Sequence, residues 1–383
     1  MSTTISLDAT AQLEHVPPVG VCFFRERPIR RAAWVTLRLM KFALQLGYWG
    51  AQPPTNHADL VVAADKAGFD TVFTAEAWGS DAFTPLAWYG SLTENIRLST
   101  AVVQLSARTP TATAMSTITL DHLSGGRFAL GLGVSGPQVV EGWYGQPFAK
   151  PLARTREYID IIRKVLRRAE PVTSDGPAYP LPYQGADASG YGKPLKSIVH
   201  PLREDVPIWL GAEGPKNVAL AAEIADGWLG FLASPRTAKD FNSWLDEGFA
   251  RPGARRTRED FEVAFLCQLH ITDDRRGVID GYKPFTALYA GGMGAEEKNF
   301  HAEALRRMGF ADEVDRITEL FRSGRKEEAA AAVPDEMVEA TAIIGDEASV
   351  RRQIAEWEAA GITMLVVTAR TVEQIEQIGR LLD

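Results

Sequence analysis

Cysteine is nearly absent from this sequence: Cys22 and Cys267 are the only two in 383 residues. Two thiols so far apart make no disulfide framework, and with no Cys-x-x-Cys pair or Cys/His cluster there is no zinc signature and no metal is expected. A reducing cytoplasm is the default setting for such a chain. Long apolar runs are absent too, which leaves no candidate for a membrane-spanning helix. Nor is there a basic excess. Lys and Arg total 41 against 49 Asp and Glu, a net charge of −8, which argues against nucleic acid or an anionic membrane as partner, since basic patches supply that affinity. A small-molecule substrate is the remaining class of partner.

What is present is a core-forming composition, 45% hydrophobic, in a length that suits one large domain or two ordinary ones. Residues 1–39 show no clear periodicity and several arginines (Arg25, Arg27, Arg30, Arg31, Arg38). Their apolar "VGVCFF" precedes most of the charge, the reverse of a secretory signal. They read as a loose extension rather than a basic interaction arm, with "MKFALQLGYWG" at Met40 opening the domain.

From Met40 onward, strand-like and helix-like patterns alternate. Strands are expected at 42–49, 69–78, 96–105, 127–134, 206–212, 228–234, 261–272 and 362–369. Helices are expected at 57–68, 83–94, 109–126, 151–169, 214–227, 237–250, 346–361 and 371–382. The helices carry start and stop signals: Pro85 in a first turn, Thr109-Pro110 at an opening, Gly68 and Gly125-Gly126 at ends. Parallel neighbours need a crossover, so this order predicts a parallel sheet and, with eight repeats, an α/β (β/α)8 TIM barrel whose site lies on the loops after the strands. Two stretches exceed the bare repeat. Residues 170–205 are rich in Pro, Gly and Tyr, the mark of a lid or binding loop. Residues 273–340 carry extra helical patterns, expected as an insertion over the barrel mouth.

"GLGVSG" at 131–136 has the Gly-x-Gly-x-x-Gly spacing of a dinucleotide turn. A dinucleotide fingerprint belongs in the first strand-to-helix turn and runs directly into a helix. This one follows the fourth strand, is followed by Pro137 and an apparent loop, and has no acidic residue ending the next strand. Close approach fits better: Gly131 and Gly133 let the strand end lie beside a flat ligand, or else they relieve crowding in the barrel. In "GAEGPKN" (211–217), Gly211, Gly214, Pro215 and Lys216 open a helix where free N–H groups favour an anion; otherwise they make an ordinary glycine turn. Trp49, Trp78 and Trp143 follow the first, second and fourth strands and could wall a flat cofactor or an apolar substrate. His57 and His122 read as packing or capping residues, and His270 as facing the mouth. Ser135 has no matching His/Asp partners, so no hydrolase triad is expected.

"AEAWGSDAFTPLAW", "LSTAVVQLSARTPTATAMSTITLDHLSGGRFALGLGVSG", "PIWLGAEGPKNVALAAEIADGW" and "AIIGDEASVRRQIAEWEAAGITMLVV" together resemble the bacterial-luciferase-like superfamily, and within it the oxidoreductases that use the deazaflavin coenzyme F420. The likeness covers 40–383 and not 1–39. It implies hydride transfer between coenzyme F420 and an organic substrate. The alternatives are an FMN-dependent monooxygenase using molecular oxygen and a non-catalytic flavin-binding barrel. It also implies a ring bound in the mouth against Ala101, Val102, Gln104, Gly131, Gly133 and Ser135, and a phosphate arm near the turn after the fifth strand. The Ala101-Val102 bond is where relatives often carry a non-proline cis peptide. At the end of the second strand the monooxygenase motif Glu-His-His is replaced by Glu76-Ala77-Trp78, which weakens an oxygenase. Glu76 either anchors the ring or pairs with an arginine. Glu141 is either a proton donor or a solvated loop carboxylate. Relatives frequently form homodimers.

Overall fold

The computed structural model describes residues 40–293 and 299–382. The expectations for residues 1–39, Cys22 among them, lie outside the described residues. The first half of the chain lays down β1 (Lys41–Gly47), α1 (His57–Lys66), β2 (Thr71–Thr74), α2 (Phe83–Gly90), β3 (Arg97–Thr100), β4 (Val103–Gln104), α3 (Pro110–Leu123), β5 (Phe128–Gly133), α4 (Pro137–Gly142) and α5 (Pro151–Arg167). After a long irregular stretch come β6 (Ile208–Gly211), α6 (Pro215–Ile224), β7 (Gly227–Gly230), α7 (Ala238–Phe249) and β8 (Glu262–Ile271). The order β1-β2-β3-β5-β6-β7-β8 is parallel throughout. β10 (Met364–Val367) closes it by pairing with both β8 and β1. The result is a closed, eight-stranded (β/α)8 barrel. β4 continues the line of β3 and pairs with the end of β5.

Alternation along the strands decides what faces where. One set, including Leu44, Val72, Leu98 and Leu130, joins the buried layer between strands and helices. The other set points inward. Ala43, Phe73, Trp209, Leu229, Ala264, Met364 and Val366 form a separate buried cluster inside the barrel. Phe73 and Trp209 lie with ring centroids 5.6 Å apart. Below them, Lys41 Nζ sits 2.8 Å from Glu262 Oε2, and Arg97 pairs with Asp70 while its guanidinium covers Trp209. The lower barrel is therefore plugged by rings and ion pairs, and a ligand can enter only from the strands' C-terminal ends.

Helix starts follow local chemistry. Thr109, Asp346 and Thr371 each accept a backbone N–H in the first turn of α3, α13 (Glu347–Ala359) and α14 (Val372–Gly379). Residues 168–207 hold no helix or named strand. They carry two isolated antiparallel bridges, Val172–Leu195 and Ser174–Leu181. They are tied to the outer helices: Glu157 of α5 accepts from Ala178 N, and Arg203 pairs with Asp121 of α3.

Past β8 come α8 (Arg275–Ala287), a π-helical turn at Leu288–Gly292, α9 (Phe300–Arg307), α10 (Ala311–Arg322), α11 (Lys326–Ala331) and α12 (Asp335–Glu339). These helices bury a core of their own around Leu305, Val314, Ile317 and Met337. Two elements differ from the sequence expectations. The apparent loop after Gly136 begins as helix α4, with Pro137 at its first position. β9 (Ala342–Gly345), too short to show a period, pairs with the outer end of β8 beyond the barrel.

Candidate active site

The glycines of "GLGVSG" are explained by their neighbours. Ala101–Val102 is a cis peptide bond, as expected at this position. It lies between β3 and β4, and both residues pack on the inner cluster. A Cβ on Gly131 would lie 1.7 Å from Thr100 O, and one on Gly133 2.5 Å from Val102 Cγ2. A Cβ on Gly211 would lie 3.1 Å from Val102 Cγ1. What demands glycine at 131 and 133 is thus the bulge of the adjacent strand, the crowding alternative, and not a ligand touching the Cβ positions. Thr100 Oγ1 locks the contact, donating to Gly131 O at 2.7 Å and accepting from Gly131 N at 2.9 Å. Gly136, the third glycine, precedes α4 in extended conformation, and Ser135 sits on the turn with φ 59°.

Glu76 is buried at the end of β2, and protein groups fill its carboxylate. Arg108 Nη1 donates at 2.9 and 2.8 Å, Gln104 N at 3.0 Å and Ala82 N at 3.4 Å. It is the partner of an arginine, the second of its two alternatives: its two oxygens are engaged beside the bulge, and Glu76 N donates to Val102 O. Gln104 Nε2 donates to Glu76 O and Ala77 O, while its Oε1 is buried without a partner. Gln45 on β1 mirrors it, with Nε2 3.5 Å from Ala101 O and Oε1 buried and unpaired. Two orphan acceptors buried beside one bulge are rare in a finished core. Gln45 escaped the sequence expectations because one glutamine in an apolar strand has no motif.

Glu141 lies exposed on α4, where Oε1 accepts from Phe148 N and closes the following turn. Trp49, Trp78 and Trp143 keep 36%, 55% and 64% exposure, so none is a core residue. Trp49 and Trp78 stand on the loops after β1 and β2, and Trp143 closes α4. Trp49 N bonds Ser80 Oγ, and Tyr144 Oη bonds Ala77 O, which ties these loops together.

On the far side of the ring, α6 begins at Gly214 in extended conformation with no side chain capping it and Pro215 at its first position. Lys216 is exposed there, and Arg307 from α9 donates to Glu213 O at 3.1 Å. Uncapped N–H groups, the helix dipole and two cationic side chains favour an anion.

The apolar run at 228–234 outlasts β7 because its end lines the mouth. Phe231 packs 4.9 Å from Tyr289 and 5.3 Å from His301, centroid to centroid. Burial pushes the Tyr289 hydroxyl up to about 12, with Tyr48 and Glu213 adding to the effect. Tyr48 follows β1 and Glu213 follows β6, strands diametrically opposed in the barrel order. A tyrosine in electrostatic reach of both roofs the mouth. His270 Nε2 lies 3.1 Å from Tyr282 Oη, and burial, aided by Arg370, lowers its pKa. Thr368 Oγ1 donates to Gln268 Oε1 nearby on β8. Tyr282, Tyr289 and His301 were missed in the sequence because they sit on helices of the insertion, whose docking no local pattern announces. Cys267 is fully buried. Among the described residues no cluster of His, Cys, Asp and Glu could hold a metal, and no helix is long and apolar enough to cross a membrane.

The family model for luciferase-like monooxygenases matches residues 37–364. The chain belongs to this family. Within it, a protein of Mycobacterium tuberculosis (strain ATCC 25618 / H37Rv), described provisionally as a coenzyme F420-dependent oxidoreductase, is 68% identical over 89% of this chain and 99% of its own length. The 5,10-methylenetetrahydromethanopterin reductase of Archaeoglobus fulgidus is 28% identical over 80% of this chain and 87% of its own. The structure of the coenzyme F420-dependent tetrahydromethanopterin reductase from Methanopyrus kandleri superposes with a TM-score of 0.75 at 25% identity, covering 89% of this chain and 97% of that one. These relatives place the chain in the F420-dependent oxidoreductase branch of the luciferase-like family.

Proposed function

We propose that this chain binds coenzyme F420 in the barrel mouth and moves a hydride between it and an organic substrate. The observation that carries this is the build of the upper barrel. Above the Phe73–Trp209 floor, the bulge at Ala101–Val102 is flanked by glycines and by two amides with orphan acceptors. A planar ring would be backed by Ala101 and Val102, with Gln45 and Gln104 holding backbone beside the bulge through their Nε2 groups. Gly214, Pro215 and Lys216 suit the phosphate, with Arg307 as a further charge. Gly131, Gly133 and Gly211 act through the bulge they accommodate, and Ser135 shapes the turn beside it. Trp49, Trp78 and Trp143 wall the outer side. When bound, the deazaflavin supplies a ring carbon that gives or accepts hydride; the chain orients it and excludes water.

The test is fluorescence titration of the purified chain with F420 and, separately, FMN. Saturable binding of F420 and none of FMN is expected. The converse supports the flavin monooxygenase, and binding of neither overturns the site.

A further inference from the structure

Across the mouth from the bulge, the barrel ends in a set of donors that no acid balances. In the closed order of strands β8 lies four places from β3 in either direction. Leu266 of β8 packs on the same inner cluster as Ala101 and Val102. By two-residue alternation, Gln268 and His270 continue that inward face above it. The register sets Val367 of β10 against Cys267, which brings the end of β10 level with Gln268. There Thr368 Oγ1 donates to Gln268 Oε1 at 3.1 Å. This orients the amide, and the Nε2 of the half-buried Gln268 has no partner among the described residues. Beside it, His270 Nε2 lies 3.1 Å from Tyr282 Oη, with ring centroids 5.5 Å apart.

Arg370 supplies the charge. It stands on the short turn between β10 and α14. Its backbone is pinned on both sides, with N donating to Gln374 Oε1 at 2.7 Å and O accepting from Asn56 Nδ2 at 2.9 Å. Its side chain is exposed, and among the described residues no carboxylate pairs with it. Glu373, the nearest in sequence, is engaged by its own N–H and the Thr371 hydroxyl. The Arg370 charge is felt by both His270 and Tyr282. Burial and then Arg370 hold His270 below its ordinary value, so its ring is neutral at neutral pH, and burial raises the Tyr282 hydroxyl. The set therefore carries a single positive charge. The loops after the last two strands of a (β/α)8 barrel are a common place for an anion, and a guanidinium fork matches a carboxylate. One cation balances a monoanion, whereas a phosphate monoester brings about −1.5 to −2 at neutral pH.

We propose that Arg370 and the Gln268 amide bind a carboxylate of the substrate, so that this chain acts on an organic acid whose charged end lies across the mouth from the Ala101–Val102 bulge. Tyr282 and Thr368 keep the wall in shape, Thr368 by holding the amide with its N–H side free. This names the substrate class of the hydride-transfer site proposed above and rests on that reading.

The experiment uses the full chain saturated with F420 and three probe pairs: benzoate, cinnamate and octanoate, each beside its primary amide. Binding is titrated by saturation-transfer NMR at low salt. At least one acid should bind at least about tenfold more tightly than its amide. Arg370→Gln should weaken that acid at least about tenfold, the lower end for a lost charged hydrogen-bond partner. It should leave the Kd values of the amide and of F420 within about twofold. Gln268→Glu keeps the shape, reverses the polarity and should also erase the preference for the acid. Lys216→Ala, at the separate anion site on α6, should keep it. No acid preferred over its amide, or a preference that survives Arg370→Gln, overturns the proposal. A raised F420 Kd in Arg370→Gln would make this the coenzyme's own anion site and overturns it too. Phenyl phosphate binding more tightly than benzoate overturns the choice of a carboxylate. Failure of the F420 function itself shows separately, as no fluorescence change on adding the coenzyme; the acid preference and its loss in Arg370→Gln are then still readable in the unloaded chain.

Discussion

Replacing Gly131 by alanine puts the packing of the bulge to a direct test. The added Cβ would lie 1.7 Å from Thr100 O, 2.8 Å from Thr100 C and 3.0 Å from Leu229 Cδ1. Side-chain rotation cannot relieve the first contact, because its partner is backbone. Reaching even 3.0 Å requires β3 and β5 to part by 1.3 Å at that point, which breaks both bonds of Thr100 Oγ1 to Gly131. Overpacking typically costs about 1–3 kcal/mol and each buried hydrogen bond about 1, so the loss should be about 3–5 kcal/mol. Equilibrium unfolding in urea reads this as a lower midpoint at unchanged slope. The control is Gly214→Ala, at a position with φ −100° where a Cβ meets nothing within 4 Å. It should stay within about 0.5 kcal/mol of the unmodified protein. A Gly131→Ala variant as stable as that control would refute the claim that these glycines exist for the bulge.

Glu76→Gln should destabilise by about 2–4 kcal/mol, somewhat below the range for a fully buried broken pair. Arg108 keeps 23% side-chain exposure and has Asp81 at 3.8 Å as a second partner; unfolding midpoints measure this, and an unchanged midpoint would contradict the pairing. Lys216→Ala should leave stability alone and weaken F420 binding several-fold, with a shallower salt dependence in the fluorescence titration; an identical Kd at low salt would remove Lys216 from the anion site. Asp70 supplies a pH effect. Burial acts to raise its carboxyl, but Arg97 and Lys41, with the Thr71 hydroxyl, outweigh it and hold it below 3.8. A depressed folded-state value means stabilisation that is complete above the ordinary aspartate range and lost as pH falls through the folded value. Asp70→Asn should therefore flatten the unfolding midpoint against pH below about 4, and a curve parallel to the unmodified protein's would refute it.

The order of strands and helices was legible in the sequence because each element needs only its neighbours. Two-residue alternation set the inner and outer faces, proline and Thr, Asp or Gly set the helix ends, and eight repeats leave few ways to bury a parallel sheet. The position of the bulge at Ala101–Val102 was legible through the family's motifs. The sequence could not decide what the glycines of "GLGVSG" accommodate, since Gly131 and Thr100 meet only when β3 and β5 pair across 31 positions. It left Glu76 between ring and arginine for the same reason: Arg108 lies 32 residues away. Helix α4 and strand β9 were too short to show a period. His301 and Glu213, 88 residues apart (301 less 213), become one unit only when the helical insertion docks on the loop after β6. Periodicity and capping are local properties of a chain, and a site assembled from an inserted helix and a barrel loop is a property of the folded surface alone.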